Sequence, residues 1–145
     1  MIRIALCDDD KSIAGFVEAC LASLRFSDCM LDVFYDGRNL LDYLDTSNDR
    51  YNIYLMDIEM PCMDGIETAN AVRGLDRDAV ILFITDHQEF VYYVFEALPF
   101  RFLRNPLRPD DLNRALIAAV KPVNVSGQMF FYNIGHEKRP VPCSD

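Results

Sequence analysis

Short apolar runs alternate with helix-spaced patterns five times along the chain. Ile2 to Cys7 is an apolar run closed by Asp8, Asp9 and Asp10, and predicts a buried strand. From Lys11 onward, Ile13, Val17, Cys20, Leu21 and Leu24 recur at the spacing of one helical face. Asp10 or Ser12 is placed to cap that helix. Leu31 to Tyr35 predicts a second strand, broken at Asp36-Gly37, and Leu40, Leu41 and Leu44 a short helix. Ile53 to Met56 is the third strand and ends at Asp57; Ile66, Ala69, Val72 and Leu75 mark a helix after Asp64-Gly65. Ala79 to Ile84 is the clearest strand and ends at Thr85. A helix over residues 88–97 and a short strand from Phe100 to Leu103 follow. Pro109 suits the first turn of a last helix, with Asp110 and Asp111 at its positive end and Leu112, Ala115, Leu116 and Ala119 on its buried face.

This alternation predicts an α/β fold, a flavodoxin-like (βα)5 doubly wound parallel sheet with strand order 2-1-3-4-5. Strands that are continuous apolar runs fit a sheet covered on both faces. In such sheets the working groups gather at the carboxyl ends of the strands, near the switch in strand order.

At 145 residues the chain holds one domain of ordinary size, and its longest apolar stretches fall far short of a membrane span. The N-terminal run is broken by Asp8 and carries no signal peptide pattern. Five cysteines (Cys7, Cys20, Cys29, Cys62, Cys143) lack any C-x-x-C pair and read as reduced thiols of a cytoplasmic protein. Net charge is −9, concentrated in residues 1–120, where 11 Lys and Arg face 21 Asp and Glu. So acidic a body is a poor grip for nucleic-acid phosphates. His87 and His136 are isolated and suggest no metal site.

Placed on the predicted sheet, the acids converge. Asp8 and Asp9 close the first strand, Asp57 the third, and Thr85 the fourth. Like charges so close repel, and a hard divalent cation relieves them, since Mg²⁺ takes oxygen ligands and keeps room for water and phosphate oxygens. The chemistry this implies is attack by one carboxylate on a phosphoryl donor, giving an acyl phosphate, with Thr85 offering a hydroxyl to a phosphoryl oxygen.

Cys7-Asp8-Asp9-Asp10, Leu55-Met56-Asp57-Ile58-Glu59-Met60-Pro61, Met63-Asp64-Gly65 and Phe83-Ile84-Thr85 resemble, in order and spacing, the receiver domain of two-component response regulators. The resemblance covers roughly residues 1–121. It implies that Asp57 is the phosphoacceptor for a sensor histidine kinase, and that the function is control of a transcriptional output domain. It further implies Mg²⁺ held by the carboxylates of Asp9 and Asp57, by Asp8 through a bound water, and by the Glu59 backbone carbonyl. Thr85 and Phe102 take the positions of the switch residues, Gly65 serves the turn into the following helix, and the bond before Pro106 is expected to be cis. The run Ile84-Thr85-x-His87-x-Glu89-Phe90-Val91 resembles more narrowly the receivers that precede a LytTR-type DNA-binding domain.

Two positions depart from the family pattern. Asn105 stands where a lysine is usual, directly before Pro106, and brings a hydrogen-bond donor without charge. Asp86 follows Thr85 where a small residue is usual. Arg104 lies on the other side of the strand by alternation and is a poor substitute. These departures keep open a degenerate receiver that acts as a phosphorylation-independent interaction domain. A haloacid-dehalogenase-like phosphohydrolase is a further alternative, since Asp8-Asp9-Asp10 contains D-x-D, although no suitable lysine or cap accompanies it. On the receiver reading the chain is not an enzyme beyond slow self-phosphorylation and self-dephosphorylation.

Phe90 to Phe95 is apolar or aromatic all round, more than a surface helix needs. Either its rings pack on the core with the Tyr hydroxyls in solvent, or it is a partner surface. The receiver resemblance implies a homodimer through this helix, the fifth strand and the last helix, with Phe90, Tyr93 and Arg108 on that surface. Residues 122–145 read as a linker over 123–128 and then a strand over Met129–Ile134, which resembles the start of a LytTR-type output domain. Twenty-odd residues do not fold alone, so DNA contact is expected only through a full-length output domain. No membrane partner is implied.

Overall fold

The computed structural model describes residues 1–24, 28–86 and 97–127, the last seven as backbone alone. The elements are β1 (Ile2–Cys7), α1 (Lys11–Leu24), β2 (Cys29–Phe34), α2 (Gly37–Thr46), β3 (Ile53–Asp57), α3 (Gly65–Leu75), β4 (Val80–Thr85), β5 (Arg101–Arg104) and α4 (Pro109–Gly127). All pairings are parallel and the order is β2-β1-β3-β4-β5, as the pattern predicts.

The central strands are buried on both sides because alternate residues feed two cores. Ala5, Cys7, Tyr54, Met56, Ile81 and Phe83 face one core, filled by Leu40 and Leu44 of α2 and Ala69 and Val72 of α3. Ile4, Leu6, Ile53, Leu55, Leu82 and Ile84 face the other, against Val17 and Cys20 of α1 and Leu112, Ala115, Leu116 and Ala119 of α4. Burying a Leu, Val or Ile side chain is worth about 1.5–3 kcal/mol, so these layers dominate stability. β2 lies at the sheet edge and is only partly covered.

Several element bounds differ from the sequence reading, most by one or two residues. β2 starts at Cys29, where it pairs with Ile2, two residues earlier than its apolar run suggests. Of the two cap candidates Asp10 takes the role at the head of α1, accepting from the Ser12 amide at 3.0 Å. Residues 123–127, expected to be linker, continue α4 to Gly127. Pro122 removes one backbone donor, and one lost bond does not end a helix already anchored by five buried side chains. Of the helix expected over 88–97 only Ala97 is among the described residues, and the strand expected over 129–134 lies outside them.

Among the described residues Cys7, Cys20, Cys29 and Cys62 are free thiols. No helix among them is long and apolar enough to cross a membrane.

Candidate functional site

Register builds the site. Cys7 pairs with Met56, so Asp8 and Asp57, the next residues on β1 and β3, leave the sheet side by side. Ile84 pairs with Asp57, which puts Thr85 one step beyond it on the far flank. Arg104 pairs with Thr85, and the Asn105 amide donates to the Thr85 carbonyl at 3.0 Å. Four neighbouring strands of the sheet, β1, β3, β4 and β5, thus bring their carboxyl ends to one rim.

Ligand oxygens of Asp8, Asp9 and Asp57 all lie within 4.8 Å of one another. Asp8 and Asp57 are buried, at 4% and 8% exposure, while Asp9 is exposed. Burial first, and then the Asp8 charge beside it, push the Asp57 carboxyl up to about 8. The Asp8 carboxyl is also raised, mainly by burial, against a bond from the Asp10 amide that favours its ionised form. Such a pair is poorly tolerated as two bare anions. Three converging carboxylates, two of them desolvated, are a donor set that suits a hard divalent cation. The Glu59 amide donates to Asp57 at 3.2 Å, which places Glu59 on the same rim.

Gly65 belongs to the site for a reason other than turn conformation. Its φ is not positive. Instead, a Cβ there would lie 2.0 Å from the Asp57 carbonyl oxygen and 2.7 Å from the Ile58 Cα. The Gly65 amide donates to the Ile58 carbonyl at 2.8 Å, so α3 begins in contact with the backbone that carries Asp57. Asp64 caps α3 in a capping box with Glu67. The D-x-x-E spacing is a readable signal for that cap. In the loop between Asp57 and Asp64, Cys62 adopts a left-handed backbone at φ 68, which no residue pattern announced. Beneath the site, the Cys7 thiol meets the Met60 sulfur at 3.8 Å and ties the loop to β1.

Of the other expected positions, Thr85 is buried and Asp86 exposed. Phe102 is half-buried and stacks on Phe83, with ring centroids 5.7 Å apart. The Asn105–Pro106 bond is cis, as the resemblance implies. Arg104 is exposed. Arg108 is exposed, whereas Phe90, Tyr93, His87 and His136 lie outside the described residues. Asp10 is engaged with Ser12 at the head of α1, through both the amide and the hydroxyl.

Fold and rim together define a doubly wound α/β domain with an acidic cluster at the carboxyl ends of its strands. The profile of the response regulator receiver domain matches residues 4–117. The chain belongs to that family. It is 29% identical over 133 residues to the response regulator MprA of Mycobacterium tuberculosis, covering 88% of this chain and 56% of MprA. It therefore spans about half the length of that relative. Among solved structures, a two-component transcriptional regulator AraC from Clostridium phytofermentans is 25% identical, with TM-score 0.74, covering 88% of this chain and 98% of that one. The response regulator DrrB, described as a Thermotoga maritima OmpR/PhoB homologue, has 22% identity and TM-score 0.72, covering 84% and 54%. This last likeness speaks to the fold.

Proposed function

We propose that Asp57 accepts a phosphoryl group from a sensor histidine kinase and that the modified domain controls a transcriptional output domain. The single observation that carries this reading is the buried Asp57 carboxyl grouped with Asp8 and Asp9 within 4.8 Å. In the transfer, an Asp57 carboxylate oxygen forms a bond to phosphorus while the bond from phosphorus to the donor imidazole breaks, and the imidazole leaves with that electron pair. Mg²⁺, bound by Asp8, Asp9, Asp57 and the Glu59 carbonyl, would supply charge neutralisation at the phosphoryl oxygens. Thr85 offers its hydroxyl to one of those oxygens, and Phe102 follows it on the adjoining strand. The phosphohydrolase alternative is disfavoured because Asp10, its second acid, is spent on the cap of α1.

Incubation with acetyl phosphate and Mg²⁺ is expected to add one phosphoryl mass to the intact protein and none to Asp57→Ala. Sedimentation of the same samples is expected to show a homodimer for the modified chain, formed through the segment at 88–97, β5 and α4. An unmodified wild-type mass leaves the degenerate receiver in its place.

Asn105 lacks the charge of the usual lysine, so the phosphoryl group is held by a neutral hydrogen bond. A charge-assisted bond is worth about 1 kcal/mol more than a neutral one, or roughly a factor of five to ten in affinity. Asn105→Lys is expected to tighten beryllofluoride binding by about that factor. Equal midpoints for the two proteins, measured in the presence of Mg²⁺, refute the weak-anchor reading of Asn105.

The LytTR-type placement rests on the run around His87 and on residues 129–145 alone. Neither MprA nor DrrB supports that subgroup, and a DNA-binding output of another type is compatible with the receiver itself.

A further inference from the structure

We propose that Arg73 is a positioning residue that anchors the approach to β5 against α3 and thereby sets Phe102 and Asn105 beside Thr85. The proposal rests on the phosphoacceptor reading of the site. Arg73 sits in the last turn of α3 and is half-buried. Its Nε donates to the Ala97 carbonyl at 2.9 Å and its Nη2 to the Leu98 carbonyl at 3.1 Å. Its Nη1 donates to the Arg77 carbonyl at 2.8 Å. One guanidinium therefore closes three carbonyls from two stretches that lie some twenty residues apart in sequence. A planar fork of donors does this; an ammonium does not.

Ala97 is buried in the core, whereas the backbone that leads from it to β5 has little apolar anchorage of its own. Leu98 has a left-handed backbone at φ 53, and its side chain is 67% exposed, so apolar burial does little to fix it. Immediately afterwards the Phe100 amide donates to the Ile81 carbonyl at 2.7 Å and opens the β4–β5 ladder. Phe102 then stacks on Phe83, and the Asn105 amide closes on Thr85. The stretch from Ala97 to Asn105 is thus tied to α3 at one end and to the rim at the other. A change at Thr85 pulls on a strand whose far end is fixed, and it therefore reorients Phe102 rather than sliding the whole strand.

The test follows backbone amides of the full chain by NMR during titration with beryllofluoride and Mg²⁺. In the wild type, amides at Asp57–Glu59 and at Phe100–Asn105 are both expected to shift. In Arg73→Met the Asp57–Glu59 response keeps its midpoint while the Phe100–Asn105 response falls by more than half. Arg73→Lys, which keeps charge without the fork, is expected to behave like Arg73→Met and serves if the latter does not fold. Full wild-type response at Phe100–Asn105 in either variant overturns the proposal. If the wild-type Asp57–Glu59 amides do not respond at all, the phosphoacceptor reading fails instead. The anchor is then judged by hydrogen exchange of the Phe100 amide, expected to quicken at least about tenfold in the variants. Unchanged exchange there overturns the anchor independently.

Discussion

Asp57→Asn is expected to melt well above the wild type when both are heated near pH 8 in the presence of a chelator. The cause is the desolvated pair at the rim. Folding raises the Asp57 carboxyl from its ordinary 3.8 to about 8, so the folded state holds its proton more tightly than the unfolded chain does. A group raised in this way contributes its full stability below about pH 3.8 and loses it progressively as pH rises toward 8. Across that window the metal-free protein weakens with rising pH, because the folded state must accept a second buried anion beside Asp8. Each tenfold difference in proton affinity between the folded and unfolded states corresponds to about 1.4 kcal/mol, and relaxation around a charged pair recovers much of the total. A net gain of about 2 kcal/mol for Asp57→Asn, on the order of 5–10 °C, is the expected size. Near pH 4 the gain should vanish, since the wild-type carboxyl is then protonated.

Adding millimolar Mg²⁺ at the higher pH is expected to stabilise the wild type and leave Asp57→Asn much less affected, because the cation competes with the proton for the same oxygens. Calorimetry of both proteins at the two pH values, with and without the cation, separates the effects. Equal melting temperatures for the two metal-free proteins near pH 8 would show that Asp57 carries no desolvation cost and that the cluster is an ordinary solvated rim.

The arrangement of strands was legible in the sequence because each central strand is a nearly unbroken apolar run, and only a sheet covered on both faces buries such runs. The acids were legible for a related reason. Asp8 and Asp57 follow their strands directly, so strand order alone brings them together. What the sequence hid depends on approach between distant backbones. Arg3 illustrates this at the opposite end of the sheet. Its guanidinium lies 5.0 Å from the Tyr51 ring centre and pairs with Asp49 at 3.4 Å, while the Tyr51 hydroxyl donates to Asp32 and that of Tyr43 to Asp49. Five residues from β1, β2, α2 and the approach to β3 meet there, and no local period marks any of them. Pro122 misled in the other direction. Proline is a strong local signal for a boundary, but the anchoring of α4 by Leu112, Ala115, Leu116 and Ala119 is a tertiary effect that local chemistry does not report.

Gly65→Ala tests whether close approach, rather than turn conformation, is what the site requires of that position. The glycine has no positive φ, so alanine meets no conformational penalty there. Helix propensity alone would then favour the substitution by roughly 0.5–1 kcal/mol, as at any exposed helical glycine. Gly15 of α1 and Gly74 of α3 meet that description, with nothing within 4 Å of an added Cβ. Gly15→Ala and Gly74→Ala are therefore expected to stabilise the fold by about that amount. Gly65→Ala should do the reverse. Its Cβ would fall 2.0 Å from the Asp57 carbonyl oxygen and 2.7 Å from the Asp57 carbonyl carbon, which are backbone atoms of a strand paired on both sides. Neither atom rotates away as a side chain would, so either α3 retreats or the end of β3 bends. The expected loss is about 3 kcal/mol, at the upper end for overpacking. Bending β3 also moves the Asp57 carboxyl relative to Asp8 and Asp9, so Mg²⁺ affinity should fall along with stability. Urea denaturation of the three variants, with a Mg²⁺ titration of each, reads both quantities. A Gly65→Ala protein as stable as Gly15→Ala, with wild-type affinity for the cation, would show that α3 retreats freely and that the contact between Gly65 and the Asp57 backbone does not hold the site.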